Sequence, residues 1–218
     1  MTDDQRRLDR EVAGAAAAHQ RLLVHLDERD PVAPDRPSRL PGWTVGHVLT
    51  HLARNADSFV RMFEGAERGD VVEQYVGGIE GRKADIEEGS TRPWGELIDD
   101  VRRSIWTLEQ TWAHHSRWDG EGRSVRRGLV PVVDLPFGRW RETEVHHVDL
   151  GLGYTLHDWP DDYVREDLRR MEIQWNARRP MGMTGLPPVA LQAPPHERLA
   201  WLLGRSELDD LPPADIFG

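Results

Sequence analysis

The sequence predicts a mainly α protein, an antiparallel four-helix bundle followed by a small C-terminal α/β segment. Three observations carry this. Four long stretches repeat apolar residues at helical spacing. Each is bounded by turn, cap or proline signals. After Gly153 the character changes to shorter, Pro-rich elements. The expected organisation is a bundle over residues 1–155 and a small α/β segment over 156–218. Four helices of this length joined by ordered loops suit an antiparallel bundle.

The first helix runs from about Asp3 to Leu26, with Leu8, Val12, Ala15, His19, Leu22 and Leu26 on one face. Pro31, Pro34 and Pro37 then hold the chain extended as far as the turn Pro41-Gly42. Thr44 is a good N-cap, and Val45, Val48, Leu49, Leu52, Ala56, Phe59 and Phe63 form the apolar stripe of a second helix ending near Ala66. His51 falls on the flank of that stripe, beside Asn55 and Met62, where a neighbouring helix meets it. A short helical piece is expected around Arg82–Ile86. Ser90-Thr91-Arg92-Pro93, with a capping hydroxyl, opens a third long helix carrying Leu97, Val101, Ile105, Leu108 and Trp112. Residues 119–133 read as a loop with a short strand. Pro136 opens the fourth helix, which Gly151 and Gly153 end near Leu150. Beyond lie a helix with Val164, Leu168, Met171 and Trp175, a Pro/Gly/Met loop over 180–188, a strand over Val189–Leu191 and a helix over Glu197–Leu203. The segment Asp209–Pro213 reads as a loosely held tail.

Composition narrows the function. The 218 residues carry a net charge of −10, which argues against binding nucleic acid or an anionic membrane face. There is no cysteine, so no disulfide framework, zinc-thiolate site or cysteine nucleophile is available. The N-terminus lacks the apolar core of a signal peptide, and no run approaches a membrane span. A cytoplasmic protein, monomeric or a small homo-oligomer, is expected.

Glu142 and His146 stand four apart on the fourth helix and leave one face of it. With a histidine from a facing helix they make a His₂Glu set, three ligands that leave a coordination position open, as catalytic zinc does. Asp149, a further turn along, is placed to hold the second nitrogen of His146. Glu144 and His147 form a rival pair on another face, and His47 competes with His51. His114 and His115 read as surface. Spacing alone does not choose between these sets, and most such pairs are solvated surface.

The block Leu40–Ala56 resembles the signature second helix of the mycothiol-dependent maleylpyruvate isomerases, a family of DinB-like metal-binding bundles. Arg139–Gly151, with the pattern R-E-x-x-x-H-x-V-D-L-G, is similar to the family's second motif. Tyr75-Val76 with Arg82–Ile86 and Gly89-Ser90 resembles a third segment. Leu199–Arg205 is similar to a helix ending in Gly-Arg that the family places over the metal. The resemblance implies a DinB-like bundle with His51, Glu142 and His146 as metal ligands, and it selects them over the rivals. It implies zinc or another divalent metal, and mycothiol as a thiol cosubstrate. A free thiol titrates near 8.5, and coordination to zinc deprotonates it. The implied reaction is cis-trans isomerisation of maleylpyruvate to fumarylpyruvate by reversible thiolate addition. Arg205 and Arg82 are the implied catalytic residues that hold the substrate carboxylates, with the 156–218 segment capping the site. Two alternatives share the centre. One is a mycothiol-dependent S-transferase or thiol-conjugate-processing enzyme acting on an electrophile. The other is a non-catalytic metal-binding bundle.

Overall fold

The structure is a computed structural model, described here for residues 2–178, 185–208, 211–214 and 216. The chain divides into two compact units, Met1–Gly153 and Tyr154–Gly218. In the first, four long helices form a bundle: α1 (Asp3–Asp27), α2 (Val45–Arg68), α4 (Trp94–His114) and α5 (Leu135–Asp149), with the shorter α3 (Gly78–Gly89) beside α2. Helix α2 packs on α4 and α1 on α5, and α2 also meets α5. Every residue of the stripe read along α2 is buried, and so is every one read along α4. Leu22 and Leu26 of α1 and Leu150 and Leu152 beyond α5 form one core cluster with Val45, Val48, Leu49 and Leu52 of α2 and Leu97, Val101 and Ile105 of α4. Burial of that apolar surface is what stabilises the bundle. None of the described helices is long and apolar enough to cross a membrane.

Local chemistry explains the element ends. Thr44 caps α2 as expected, and its partner in a capping box is His47, whose ring nitrogen accepts from the Thr44 backbone. The helix expected around Arg82–Ile86 is longer, because it begins on left-handed glycines, Gly77 and Gly78 (φ 73° and 64°), which hide the periodicity. No hydroxyl caps α4. Its N-cap is Pro93, whose fixed φ and extended ψ lead into the helix, while the Ser90 hydroxyl donates back to the Glu87 carbonyl at the end of α3. The stretch over 119–133 holds two strands, β1 (Glu121–Ser124) and β2 (Gly128–Pro131), paired antiparallel, followed by a 3₁₀ turn over Val132–Asp134. Arg123 also bonds Val72 and Gln74 through its backbone, so the hairpin fixes the segment leading to Tyr75.

The second unit comprises a 3₁₀ turn (Leu156–Asp158) and helices α6 (Asp161–Ala177), α7 (Pro188–Gln192) and α8 (Pro195–Leu202). Its core gathers Trp159, Tyr163, Leu168, Met171, Leu199 and Leu202, with the rings of Trp175 and Trp201 5.2 Å apart. The strand expected over Val189–Leu191 is the helical turn α7, started by Pro188 in its first turn, and the described residues of this unit contain no strand. Residues 180–184 of the expected Pro/Gly/Met loop, and residues 209–210 of the expected loose tail, lie outside the described residues. The rest of that tail is pinned, since the Trp201 indole donates to the Pro212 carbonyl at 3.0 Å.

The α1 stripe contains a buried ionisable group with a measurable consequence. His19 is buried, with Nδ1 2.8 Å from Glu109 and Nε2 accepting from Arg139 at 2.9 Å. Burial, reinforced by the Arg139 charge, pushes its pKa down to about 4 although Glu109 opposes this. The unfolded chain therefore binds an extra proton between about pH 4 and pH 6.5, and stability falls as pH drops through that window. Urea titrations at pH 7 and pH 5 should show His19→Gln losing on the order of 2 kcal/mol less than wild type.

Candidate metal centre

Three side chains from two helices converge in the first unit: His51 of α2 with Glu142 and His146 of α5. His51 Nε2 lies 2.9 Å from Glu142 Oε2 and 3.1 Å from His146 Nε2, and His146 Nε2 lies 3.4 Å from the same Glu142 oxygen. Donors on a tetrahedral ion with bonds of about 2.0–2.1 Å stand about 3.3 Å apart, so this triangle is close to what one ion needs. The group can hold a metal. The spacing of Glu142 and His146 projects both from one face of α5, and the flank position of His51 on α2 turns its ring into the same seam.

The side chains differ in exposure. That of His51 is 4% exposed, His146 13% and Glu142 34%, so the cluster opens to solvent on the Glu142 side. Burial, aided by the neighbouring His146, pushes the His51 pKa down to about 4, leaving a neutral imidazole. Burial works against the Glu142 charge, but hydrogen bonds from His146 and His51 outweigh it and hold the carboxyl well below its usual range. At His146 the effect of burial is outweighed by Asp149 and Glu142, which raise its pKa. His146 Nδ1 stands 2.8 Å from the Asp149 carboxylate, an ion-pair contact rather than a well-aligned hydrogen bond. Asp149 thus occupies the orienting position read from its spacing.

Arg82 of α3 reaches the same cluster, with Nη2 3.2 Å from His51 Nδ1. Its guanidinium carbon sits 5.8 Å from the Trp43 ring and 5.9 Å from the Tyr75 ring, both within cation–π range. The Trp43 ring also meets His51 edge-on at 5.6 Å. Tyr75 is buried, which raises its pKa and keeps the phenol protonated, and its hydroxyl interacts with Ser58 and Arg82. Gly81 lets α3 approach, because a Cβ there would stand 1.9 Å from the Val76 carbonyl. Trp43 and Tyr75 are site residues that the apolar pattern missed. Each lies in a turn or irregular segment, where no period marks it.

Beneath the cluster Arg139 is fully buried, with Nε donating to His19 and Nη1 to the Leu52 carbonyl and Asn55 Oδ1. It cross-links α5 to α2 one turn from His51 and Glu142. Burial depresses its pKa to about 10. The rival residues are engaged elsewhere. Glu144 pairs with Arg21, His147 Nε2 lies 2.5 Å from His25 Nδ1, and His47 is spent on the α2 cap. His114 is exposed, but His115, expected at the surface, is sealed between the Phe63 and Trp118 rings and paired with Glu67. Arg205 belongs to the second unit. It donates to the Leu203 carbonyl and lines a cleft of about 770 Å³ with Trp201, Leu208 and Pro212.

The family model described as the mycothiol maleylpyruvate isomerase N-terminal domain matches residues 13–151, well over half of the chain. No curated protein sequence matches. Among solved structures, the crystal structure of a mycothiol-dependent maleylpyruvate isomerase superposes with a TM-score of 0.81 at 23% identity, covering 94% of this chain and 93% of that one. A histidine-to-alanine mutant of that enzyme gives 0.80 at the same identity and coverage. At this identity the superposition shows a shared fold.

Proposed function

We propose a function from one premise: the chain belongs to the mycothiol maleylpyruvate isomerase N-terminal domain family. That membership supports a mycothiol-linked role, and within it the reading we favour is a metal- and thiol-dependent cis-trans isomerase of a cis-enedioate such as maleylpyruvate. The observation that carries this reading is the convergence of His51, Glu142 and His146 on one point, with the Arg82 guanidinium beside them.

In this reading His51, Glu142 and His146 hold a divalent ion, zinc being suited to a His₂Glu donor set, and the side of the cluster left open by Glu142 takes the thiol. When bound, a divalent ion held by His51, Glu142 and His146 would supply the charge that lowers the pKa of a thiol beside it. Asp149 keeps the His146 ring oriented. Arg82, held between Trp43 and Tyr75, takes one substrate carboxylate, and Arg205 takes the other. A substrate carboxylate held by Arg82 would bring the double bond toward the cluster. Addition there leaves a single bond that rotates, and elimination returns the trans isomer with the thiol intact. The cell supplies the thiol, so the reaction belongs in the cytoplasm.

The test is a mycothiol-dependent isomerase assay on maleylpyruvate with metal content measured in parallel. Arg205→Ala should lower turnover about ten- to a hundredfold, the value of a charge-assisted pair, while metal content stays unchanged. Full activity of that variant on the dicarboxylate would remove Arg205 from the mechanism and favour the S-transferase alternative. Metal binding without thiol turnover on any electrophile would favour the non-catalytic alternative.

A further inference from the structure

His146 Nε2, 3.1 Å from His51 Nε2, can donate or accept, so the other two contacts of the ring place the proton of His51. Nε2 faces a carboxylate oxygen of Glu142 at 2.9 Å, and a carboxylate only accepts. Nδ1 faces Arg82 Nη2 at 3.2 Å, and a guanidinium only donates. A neutral imidazole satisfies both in one way, with the proton on Nε2 and the lone pair on Nδ1. A metal held through Nε2 requires the opposite tautomer, because the coordinating nitrogen must offer its lone pair and the proton must then sit on Nδ1. An Nδ1–H pointed at a guanidinium N–H is a donor against a donor.

We propose that Arg82 and the metal are mutually exclusive partners of His51, so that loading the centre releases the Arg82 guanidinium for an anionic ligand and links metal binding to anion binding. His51 itself neither gains nor loses a proton, since its proton moves from Nε2 to Nδ1. The released side chain is not lost to solvent. Trp43 and Tyr75 hold the guanidinium over their rings at 5.8 and 5.9 Å, and of its five N–H donors those released from His51 are then available for a carboxylate. The two aromatics are therefore positioning residues for Arg82. Linkage runs both ways: an anion that draws Arg82 off His51 tightens the metal by the same factor that the metal tightens the anion.

This inference rests on the metal assignment made above, and its test separates the two. The tautomer of His51 is read by ¹⁵N–¹H correlation spectra of the labelled full chain before and after zinc is added. Zinc affinity is measured by chelator competition in wild type and Arg82→Gln, with and without succinate, a dicarboxylate with no double bond to react. The expected result is an Nε2–H tautomer without zinc and an Nδ1–H tautomer with it. Succinate should tighten zinc about five- to a hundredfold in wild type. Arg82→Gln should bind zinc at least as tightly as wild type and show no succinate effect. An Nδ1–H tautomer before zinc is added, weaker zinc binding by Arg82→Gln, or a succinate effect that survives in it would overturn the linkage and leave the metal assignment standing. Zinc that binds without altering the His51 signals would overturn the assignment itself and the linkage with it.

Discussion

Replacement of His51 by alanine should give a folded protein that no longer loads this centre and has lost its thiol-dependent turnover. Disturbing a partner that merely orients a ligand costs ten- to a hundredfold in metal affinity. Removing one ligand of three should therefore cost at least about a hundredfold, and activity should fall in proportion. The fold should survive, because the apolar stripes of α2 and α4, not the polar cluster, supply the buried surface. Glu142 loses a partner but is one-third exposed and can turn to water, so about 1–2 kcal/mol is the expected stability cost. Elemental analysis with circular dichroism decides. Stoichiometric metal in the variant would remove His51 from the centre, and an unfolded variant would make the ion structural.

Arg139→Ala should be the most destabilising single change in the first unit. Burial of a guanidinium is costly in itself, as the fall of its pKa to about 10 shows, and the bonds to His19, Leu52 and Asn55 offset that cost. Truncation leaves Asn55 Oδ1 and His19 Nε2 without their donor and opens a cavity where a large side chain stood. A loss of about 3–5 kcal/mol follows, on the order of 10 °C in Tm. The bonds join α5 to α2 beside the ligands, so metal affinity should drop about tenfold in the same variant. A thermal melt within a degree or two of wild type would show that the cross-link carries no such weight. Arg139→Lys should recover little, because an ammonium cannot reproduce the fork that serves two helices at once.

These two residues also mark how far the sequence could be read. The bundle was legible because α2 and α4 repeat strictly, and each residue of those stripes is buried. On α1 the reading was blurred. Glu11 and Gly14 are more buried than Val12, because the Trp140 ring rests where Gly14 has no side chain. The start of α3 was hidden by its glycines, and Val189–Leu191 was misread because three apolar residues suit a strand or a helical turn equally. Spacing brought Glu142 and His146 to one face but could not rank them above Glu144 and His147. Resemblance made that choice, and packing explains it, since Arg21 and His25 occupy the rival pair. The role of Arg139 was illegible, because its partners lie 84 to 120 positions away.

Distance along the chain has a consequence for how the centre comes into being. His51 is 91 residues from Glu142 and 95 from His146, so no local segment of the chain supplies all three ligands, and α5 alone offers two of them. A nascent chain that has not yet released α5 has nothing to load, however much metal surrounds it. The complete three-ligand set therefore exists only once α2 and α5 have packed together. An ion held there would act on the finished bundle by mass action, adding about 2.7 kcal/mol when free metal stands at a hundred times its dissociation constant. Its kinetic signature is slower unfolding with an unchanged rate of folding.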